Sequence, residues 1–593
     1  MRSDTFNPAA STLARWKQII VGALCLRVAG GRLMPFRTAL LVLAFQNAMQ
    51  AQSGVGADTV LMNGKVVTVD RQFSIAEAIA IRDGQFLAVG SNKQIEALTG
   101  RNTVRIDLSG RTVLPGLMDT HAHVAGAGIQ DVTVSLAKVT VVAQALEQIR
   151  AWAAKAKPGD WIIGGPWHPI SQLQEKRYLT RHEIDQVAPN NPVFLPVGHF
   201  AMANSMALAL AGINKSTADP VGGIVERDGN GEPSGILEES AVELLTAKIP
   251  APTVAQWADW LKAAMRVFNS CGITSVVDGL VEPDEFRAYQ QLWTNHEITL
   301  RTGIMYMPAG SGMTTSVEDW EKTFRTLGVS SGFGDEWLSF AAIGEIISDG
   351  GMTLGTAFLR DPYPGQPNNR GFEPISGDKL NRLVAVCNRY GWRVAVHAVG
   401  DAGIDKVLNA YAFANAQNPI LDKRFIILHG SLIQADQLRR AAKLGVRVDM
   451  QNVFMWDKAA SVARFIGNGR ADRALPTRLM IDTLGIGNVG AGTDFPVNML
   501  NPFINFYIMI TRKAPDGTVY GKGQAISREE AVRLYTSSAA RFNFEEAKKG
   551  SIEPGKLADL VVLSDDLLTV PEEKIKDIQA LTTIVGGKLV YER

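Results

Sequence analysis

The chain has 593 residues, of which 46% are hydrophobic and 20% are charged, a composition that excludes an intrinsically disordered protein and predicts a large buried core. Lys and Arg together number 60, and Asp and Glu number 59, so the formal net charge at pH 7 is only +1. Because the charges balance and no dense basic tract occurs, we expect no nucleic-acid partner.

Residues 1–51 are predicted to be a leader. Within them, Arg37 precedes an apolar run too short to span a bilayer, and polar and small residues follow, which is the layout of a secretory signal. We therefore expect an exported protein, periplasmic or secreted, that starts at Met1 or Met34 and is cut near Ala51. The alternative is a disordered extension on a cytoplasmic enzyme. The rest of the chain has no continuous transmembrane run, so we expect no stable membrane span.

Both ends of the remaining chain have strand-and-turn patterns. Near the start, β-branched runs surround the hairpin signals Asn63-Gly64 and Asp83-Gly84. The last residues repeat the pattern. We therefore predict one small β-sandwich built from residues 57–112 and 548–593.

Residues 113–547 alternate apolar strands with helical stretches, which predicts an α/β fold with a parallel sheet, a (β/α)8 TIM barrel. Residues 165–250 are longer than one connection requires and are predicted to be an inserted or elaborated region. Nine candidate strands compete for eight places, so one is an extra. They are the strand entering His121 and residues 161–164, 273–277, 300–305, 340–347, 393–397, 425–429, 446–450 and 489–494.

The first candidate strand ends in His121-Ala-His123. Side chains at i and i+2 of a strand point to the same face, so two imidazoles there can converge on one cation. The motif is short, and the alternative is a harmless surface pair of histidines. The three cysteines are spaced neither as a metal knuckle nor as a disulfide framework, so they are not candidate ligands.

Further candidate ligands stand at the ends of later strands, where barrel active sites lie. These are His397, His429 and Asp494; each alone could be a structural histidine or a turn aspartate. Glu345 lies in an apolar strand, where an ionised side chain requires a partner or a metal. Its alternative role is pairing with an arginine, and Asp349 is a competing ligand.

Taken together, these residues resemble the amidohydrolase superfamily, and more closely its branch containing N-substituted formamide deformylases. The resemblance runs from about Ala57 to the C-terminus. The supporting stretches are 198–205 (GHFAMANS), 219–223 (DPVGG), 235–238 (GILE), 397–401 (HAVGD), 492–497 (GTDFPV) and 550–559 (GSIEPGKLAD).

The resemblance implies a divalent metal, zinc, with one or two ions per chain. Asp494 would be the general base as well as a ligand. His121 and His123 would hold one metal with Asp494, His397 and His429 would hold a second, and Glu345 would bridge them.

The chain departs from its relatives at two positions. Many relatives carry a carboxylated lysine where Glu345 stands, and a glutamate can bridge two metals without CO2. Relatives often have a polar residue where Val277 stands, and we expect its loss to change the pocket rather than the metal site.

Three further residues are candidates for substrate binding. His199 and Asn204 are expected to reach the substrate, with a hydrogen-bonded loop scaffold as the alternative. Trp167, with His168 beside it, is expected to line the pocket, with plain packing as the alternative.

These observations predict a metal-dependent hydrolase that cleaves a C–N bond of an amide or N-formyl compound through a metal-activated water. The alternatives are a deaminase of a cyclic amidine on the same centre and a catalytically silent binding protein. A cyclic-imide hydrolase is less favoured, because the lysine is missing. The partner is a small-molecule substrate, and a homo-oligomer is possible.

Overall fold

Eight parallel strands in the middle of the chain carry the candidate site. The computed structural model describes residues 56–165, 167–308 and 315–593. Each strand pairs with the next in chain order. In that order the barrel strands are Leu117–Ala122, Ile273–Val281, Arg301–Tyr306, Leu338–Ile347, Val394–Ala398, Ile426–His429, Arg447–Met450 and Val489–Ala491.

The segment after the eighth strand lies beside the first strand. The backbone N–H of Asp494 donates to the carbonyl of His121 at 2.8 Å, and that of His123 donates to the carbonyl of Phe495 at 2.6 Å. The first and eighth strands therefore come together at the end that bears the histidines. The α/β fold with a TIM barrel is confirmed.

The barrel strands are buried on both faces, because helices cover the outer face and side chains fill the interior of the barrel. All residues of Leu117–Ala122 and Ile426–His429 are buried. The helices around and after the strands are Val254–Ser270, Pro283–Thr294, Val317–Leu327, Gly377–Arg389, Asp401–Gln417, Ala435–Leu444, Ala459–Ile466, Thr477–Leu484, Pro502–Thr511, Arg528–Leu534 and Ser537–Phe542.

A separate five-stranded sheet fills the long connection between the first and second barrel strands. Its edge strand Ile162–Ile163 pairs with Val193–Val197 and not with a barrel strand. Residues 161–164 are therefore the extra candidate among the nine, because a short apolar run does not reveal which sheet it joins. The other strands are Phe200–Ala203, Gly223–Arg227 and Pro233–Glu239, and the main helices are Val142–Ala153, Arg181–Val187, Ser205–Ala211 and Ala241–Thr246.

Strands from both ends of the chain share one sheet. Leu560–Leu563 runs antiparallel to Thr112–Pro115, with Val561 opposite Leu114. The six-stranded sheet has the order Lys588–Glu592, Ala580–Val585, Leu560–Leu563, Thr112–Pro115, Lys65–Val67, Ile75–Ala76. A four-stranded sheet has the order Gln85–Gly90, Ala78–Arg82, Ala57–Met62, Thr99–Asp107.

Apolar residues of the two terminal sheets, including Leu61, Val113 and Leu560, form one buried cluster. The predicted domain limits at 112/113 and 547/548 stay a prediction. The predicted leader lies outside the described residues. Within the described ranges, no helix is both long and apolar enough to cross a membrane.

Replacing Asp559 with alanine is expected to lower the free energy of unfolding by about 3–5 kcal/mol, the cost of leaving a buried charge unpaired. Its carboxylate accepts hydrogen bonds from Nε and Nη2 of Arg301 at 2.7 and 3.0 Å, and both side chains are buried. This pair ties the third barrel strand to the C-terminal segment. Denaturant unfolding measures the loss, with Asp577→Ala, which breaks an exposed pair with Lys574, as the control of little effect. Equal stability of the two variants would contradict the assignment.

Candidate metal centre

Four histidines and two carboxylates meet at the carboxyl ends of the barrel strands. His121 lies in the first strand, Glu345 in the fourth and His397 in the fifth. His429 ends the sixth strand, and Asp494 follows the eighth. These five residues are buried, and the side chain of His123 is 24% exposed. Because parallel strands end at one rim, residues spread over most of the chain become neighbours.

The carboxylate of Glu345 lies between two pairs of imidazoles. Its Oε1 is 2.8 Å from Nδ1 of His397 and 2.9 Å from Nε2 of His429. Its Oε2 is 3.3 Å from Nε2 of His121 and 3.9 Å from Nε2 of His123. One oxygen therefore faces each pair, which is the arrangement that a carboxylate bridging two cations requires.

Asp494 lies on the side of His121 and His123. Its Oδ1 is 3.4 Å from Nε2 of His121 and 3.3 Å from Nε2 of His123. Ligand atoms of His121, His123 and Asp494, and of His121, Glu345 and His429, each lie within 4.8 Å of one another. Each group is compact enough to hold a metal ion, and the two groups share His121.

Two histidines are oriented by hydrogen bonds at the ring nitrogen that faces away from the centre. Nδ1 of His429 is 2.8 Å from Oε1 of Gln451, and Nδ1 of His123 is 3.2 Å from the carbonyl of Gly279. A proton on each Nδ1 leaves Nε2 as the ligand atom, which is the usual outer support of metal-binding histidines. Both ring nitrogens of the buried His121 lack a hydrogen-bond partner among the described residues. The donor set therefore fits a metal ion.

The charges lead to the same conclusion. Burial acts to raise the pKa of Glu345, but the histidines His121, His397 and His429 overcome it and hold that pKa well below its ordinary value. Burial acts to raise the pKa of Asp494 as well, but the nearby rings of His121, His123 and His429 overcome it and hold that pKa below its ordinary value. Two ionised carboxylates in this buried place require positive charge, which imidazolium protons or a divalent cation can supply.

The contacts at these strand ends support neither an arginine partner for Glu345 nor Asp349 as the ligand in its place. No arginine contacts Glu345 among the described residues, where its partners are histidines. Asp349 is used by backbone: Oδ1 accepts from Val399, and Oδ2 accepts from Gly400 and Phe358, at 2.8–3.0 Å. Asp349 therefore orders the loop after the fourth strand.

A cavity of about 640 Å³ opens onto the centre, and His199 and Trp167 line it, while their contact with a substrate stays a prediction. Nδ1 of His199 is 2.8 Å from Oε2 of Glu239. Burial acts to lower the pKa of His199, but the charge of Glu239 overcomes it and raises that pKa to about 9. His168 also lines the cavity; burial and the charge of Lys458 lower its pKa to about 3, so this imidazole is neutral.

Asn204 does not line the cavity. Its Oδ1 accepts from the backbone N–H groups of Val193 and Ala207, and its Nδ2 donates to the carbonyls of Ala188 and Asn191. All four hydrogen-bonding positions of the amide are therefore used within the scaffold, where the residue caps a helix. This replaces the substrate contact that we predicted for Asn204.

The amidohydrolase family model matches residues 105–591. The chain belongs to the amidohydrolase family. LONG AFTER FAR-RED 3 of Arabidopsis thaliana is 31% identical over 556 residues, covering 91% of this chain and 92% of that protein. N-substituted formamide deformylase of Arthrobacter pascens is 28% identical, covering 90% of this chain and 98% of that protein. An uncharacterized metal-dependent hydrolase from Pyrococcus horikoshii OT3 has the same fold, with a TM-score of 0.69 at 24% identity, covering 87% of this chain and 99% of that one.

Val277 lies away from the metal centre of this amidohydrolase, and its expected effect on the pocket stays a prediction. Val277 packs inside the barrel against Met305 and Leu428 and does not line the cavity at the metal centre. Asp278, Gly279 and Leu280 of this strand line the cavity, and Gly279 lies against the rings of His121 and His123. A Cβ there would lie 2.9 Å from Cε1 of His121 and 3.2 Å from Cε1 of His123.

Replacing Gly279 with alanine is therefore expected to displace the His121–His123 pair and lower metal affinity by about 10–100-fold, as the loss of outer support does. Titration of the metal-depleted protein with zinc measures the change. Gly303→Ala is a matched control on the next strand, because the atom nearest to a Cβ there is the Cβ of Ala341, at 3.2 Å, and no histidine lies among its three nearest neighbours. Unchanged zinc affinity in Gly279→Ala would contradict this account of the site.

Proposed function

We propose that this amidohydrolase cleaves a C–N bond of an amide or N-formyl compound and uses zinc, one or two ions per chain. The observation that carries the proposal is the position of the Glu345 carboxylate between the two imidazole pairs, with Asp494 beside one of them. The name of the Arthrobacter relative, N-substituted formamide deformylase, supports an N-formyl substrate.

His121, His123 and Asp494 would hold one ion, His397 and His429 the other, and Glu345 would contact both. A divalent cation held there would make water more acidic and would polarise a carbonyl oxygen. Asp494 then accepts the proton of the attacking water and returns it to the leaving nitrogen. Water adds to the carbonyl carbon and forms a C–O bond, and the C–N bond then breaks, which gives an acid and an amine.

The cavity wall supports an apolar substituent on the substrate nitrogen. Trp167, Leu280, Met352, Leu354 and Phe454 line the space beside the centre. Burial of a hydrocarbon group there contributes about 25 cal/mol per Å² of apolar surface removed from water. We therefore propose a small N-acyl or N-formyl amine with an apolar amine portion.

A panel of matched compounds tests the proposal: N-benzylformamide, N-benzylacetamide and a cyclic amidine such as adenine. Release of benzylamine from the formamide by the zinc-loaded full chain is the expected result. Release of ammonia from the amidine alone would favour the deaminase. No turnover of any compound by a fully metal-loaded protein would favour the binding protein.

We further propose that the protein is exported and that residues 1–51 are removed. The basis is the basic-then-apolar layout of the N-terminal segment. N-terminal sequencing of the protein from the periplasm or medium of the native cells would give a start near residue 52. A full-length chain in the cytoplasm would overturn this proposal.

A further inference from the structure

Glu239 is a buried carboxylate that the barrel strands do not supply. It ends the strand Pro233–Glu239 of the inserted sheet, and its side chain is only 2% exposed. It nevertheless lines the cavity at the metal centre. Neither the motifs at the barrel strand ends nor the metal-ligand spacing assigns a role to this residue.

The contacts of Glu239 converge on one neighbour. Its Oε2 is 2.8 Å from Nδ1 of His199, and its backbone N–H donates to the carbonyl of the same residue at 2.7 Å. Its Oε1 is buried and has no hydrogen-bond partner among the described residues. A buried carboxylate with a single ionic partner costs free energy of folding rather than contributing it.

The backbone conformation at Glu239 also costs free energy of folding. Its φ is +50°, in the left-handed region that non-glycine residues seldom adopt. The space for its carboxylate also depends on Gly350, because a Cβ there would lie 2.6 Å from Oε1 of Glu239. A strained backbone and a buried carboxylate oxygen without a hydrogen-bond partner, both beside a reaction centre, are characteristic of a functional residue.

His199 connects Glu239 to the centre. It lies in the turn between strands Val193–Val197 and Phe200–Ala203, and its side chain is 23% exposed. Its ring centroid is 5.2 Å from that of His397, one of the candidate ligands. With Nδ1 held by Glu239, Nε2 is the ring atom left to contact a substrate.

We propose that Glu239 is a positioning residue that holds the His199 ring so that its Nε2–H donates to the carbonyl oxygen of the substrate. The inference rests on the proposed C–N hydrolysis and names a residue that the motifs do not. Negative charge develops on that oxygen as water adds, so a fixed donor lowers the barrier. The inserted sheet thereby contributes the oxyanion partner, and the barrel contributes the metal ligands and the base.

The test compares Glu239→Gln, His199→Asn and their double variant with the control Glu238→Gln, on zinc-loaded full chain. Glu238 is the preceding residue of the same strand, is less buried than Glu239 and does not line the cavity. We expect Glu239→Gln and His199→Asn each to lower kcat on N-benzylformamide by about 10²–10³-fold, the range for loss of an oxyanion donor. KM and zinc content should stay within threefold, and the double variant should be no slower than His199→Asn.

Unchanged kcat in Glu239→Gln would overturn the proposal, and so would a loss of zinc or of melting temperature that matches the loss of kcat. Binding of acetohydroxamic acid to the zinc-loaded chain, measured by calorimetry, keeps the inference separate from the substrate proposal. If wild type turns over no formamide, the proposed function fails. A tenfold weaker hydroxamate Kd in Glu239→Gln but not in Glu238→Gln would then still support the positioning role, and equal Kd values would overturn it.

Discussion

Replacing Asp494 with asparagine is expected to lower kcat by roughly 10²–10⁴-fold, the contribution of a positioned acid–base group. The asparagine keeps the shape and one oxygen near His121 and His123, which lie 3.4 and 3.3 Å from Oδ1 in the wild type. It loses the negative charge that accepts the proton of water. Most of the bound metal should therefore remain while turnover falls.

Steady-state rates and metal content, measured on the same preparations, distinguish the role of Asp494 as a base from its role as a metal ligand. Asp482→Asn is the control, because that side chain is 60% exposed on an outer helix. A kcat for Asp494→Asn within threefold of wild type would show that another group takes the proton. Loss of all metal in this variant would mean that Asp494 acts chiefly as a ligand.

Replacing Glu345 with glutamine is expected to weaken zinc binding by more than the roughly 10–100-fold that loss of an outer partner costs. The glutamine has the same length but no charge, so the imidazoles that face Oε1 and Oε2 lose their shared anion. Positive charge brought to this buried place then lacks the anion that offsets it, which opposes metal loading.

Zinc titration of metal-depleted protein measures the effect. Gln451→Leu provides the internal comparison, because it removes only the outer hydrogen bond to Nδ1 of His429. We expect Gln451→Leu to weaken zinc binding less than Glu345→Gln does. Equal zinc affinity of Glu345→Gln and wild type would rule out the bridging role.

The residues that the sequence revealed share one property: each lies at the end of a strand whose apolar pattern is local. His397, His429 and Asp494 could be predicted for that reason, and His121 with His123 also has the spacing of a ligand pair. Because the strand ends of a parallel barrel converge, a local pattern was sufficient to predict that residues far apart in the chain lie close together.

The residues that the sequence did not reveal depend on contacts between distant parts of the chain. Gln451 supports His429, and Gly279 leaves room for His121, yet neither position has a pattern that marks it. The substrate contact predicted for Asn204 was wrong for another reason. An asparagine in a loop is as suitable for capping a helix as for binding a substrate. The strand Ile162–Ile163 could not be distinguished from the barrel strands, because an apolar run does not identify its partner.

The metal content of the full chain, purified without chelator, tests the central claim most directly when it is followed together with turnover of N-benzylformamide. Our account predicts about one to two zinc ions per chain, loss of turnover on chelation and its return with added zinc. Full turnover by a protein that holds no metal, or a protein that binds none after reconstitution, would contradict it.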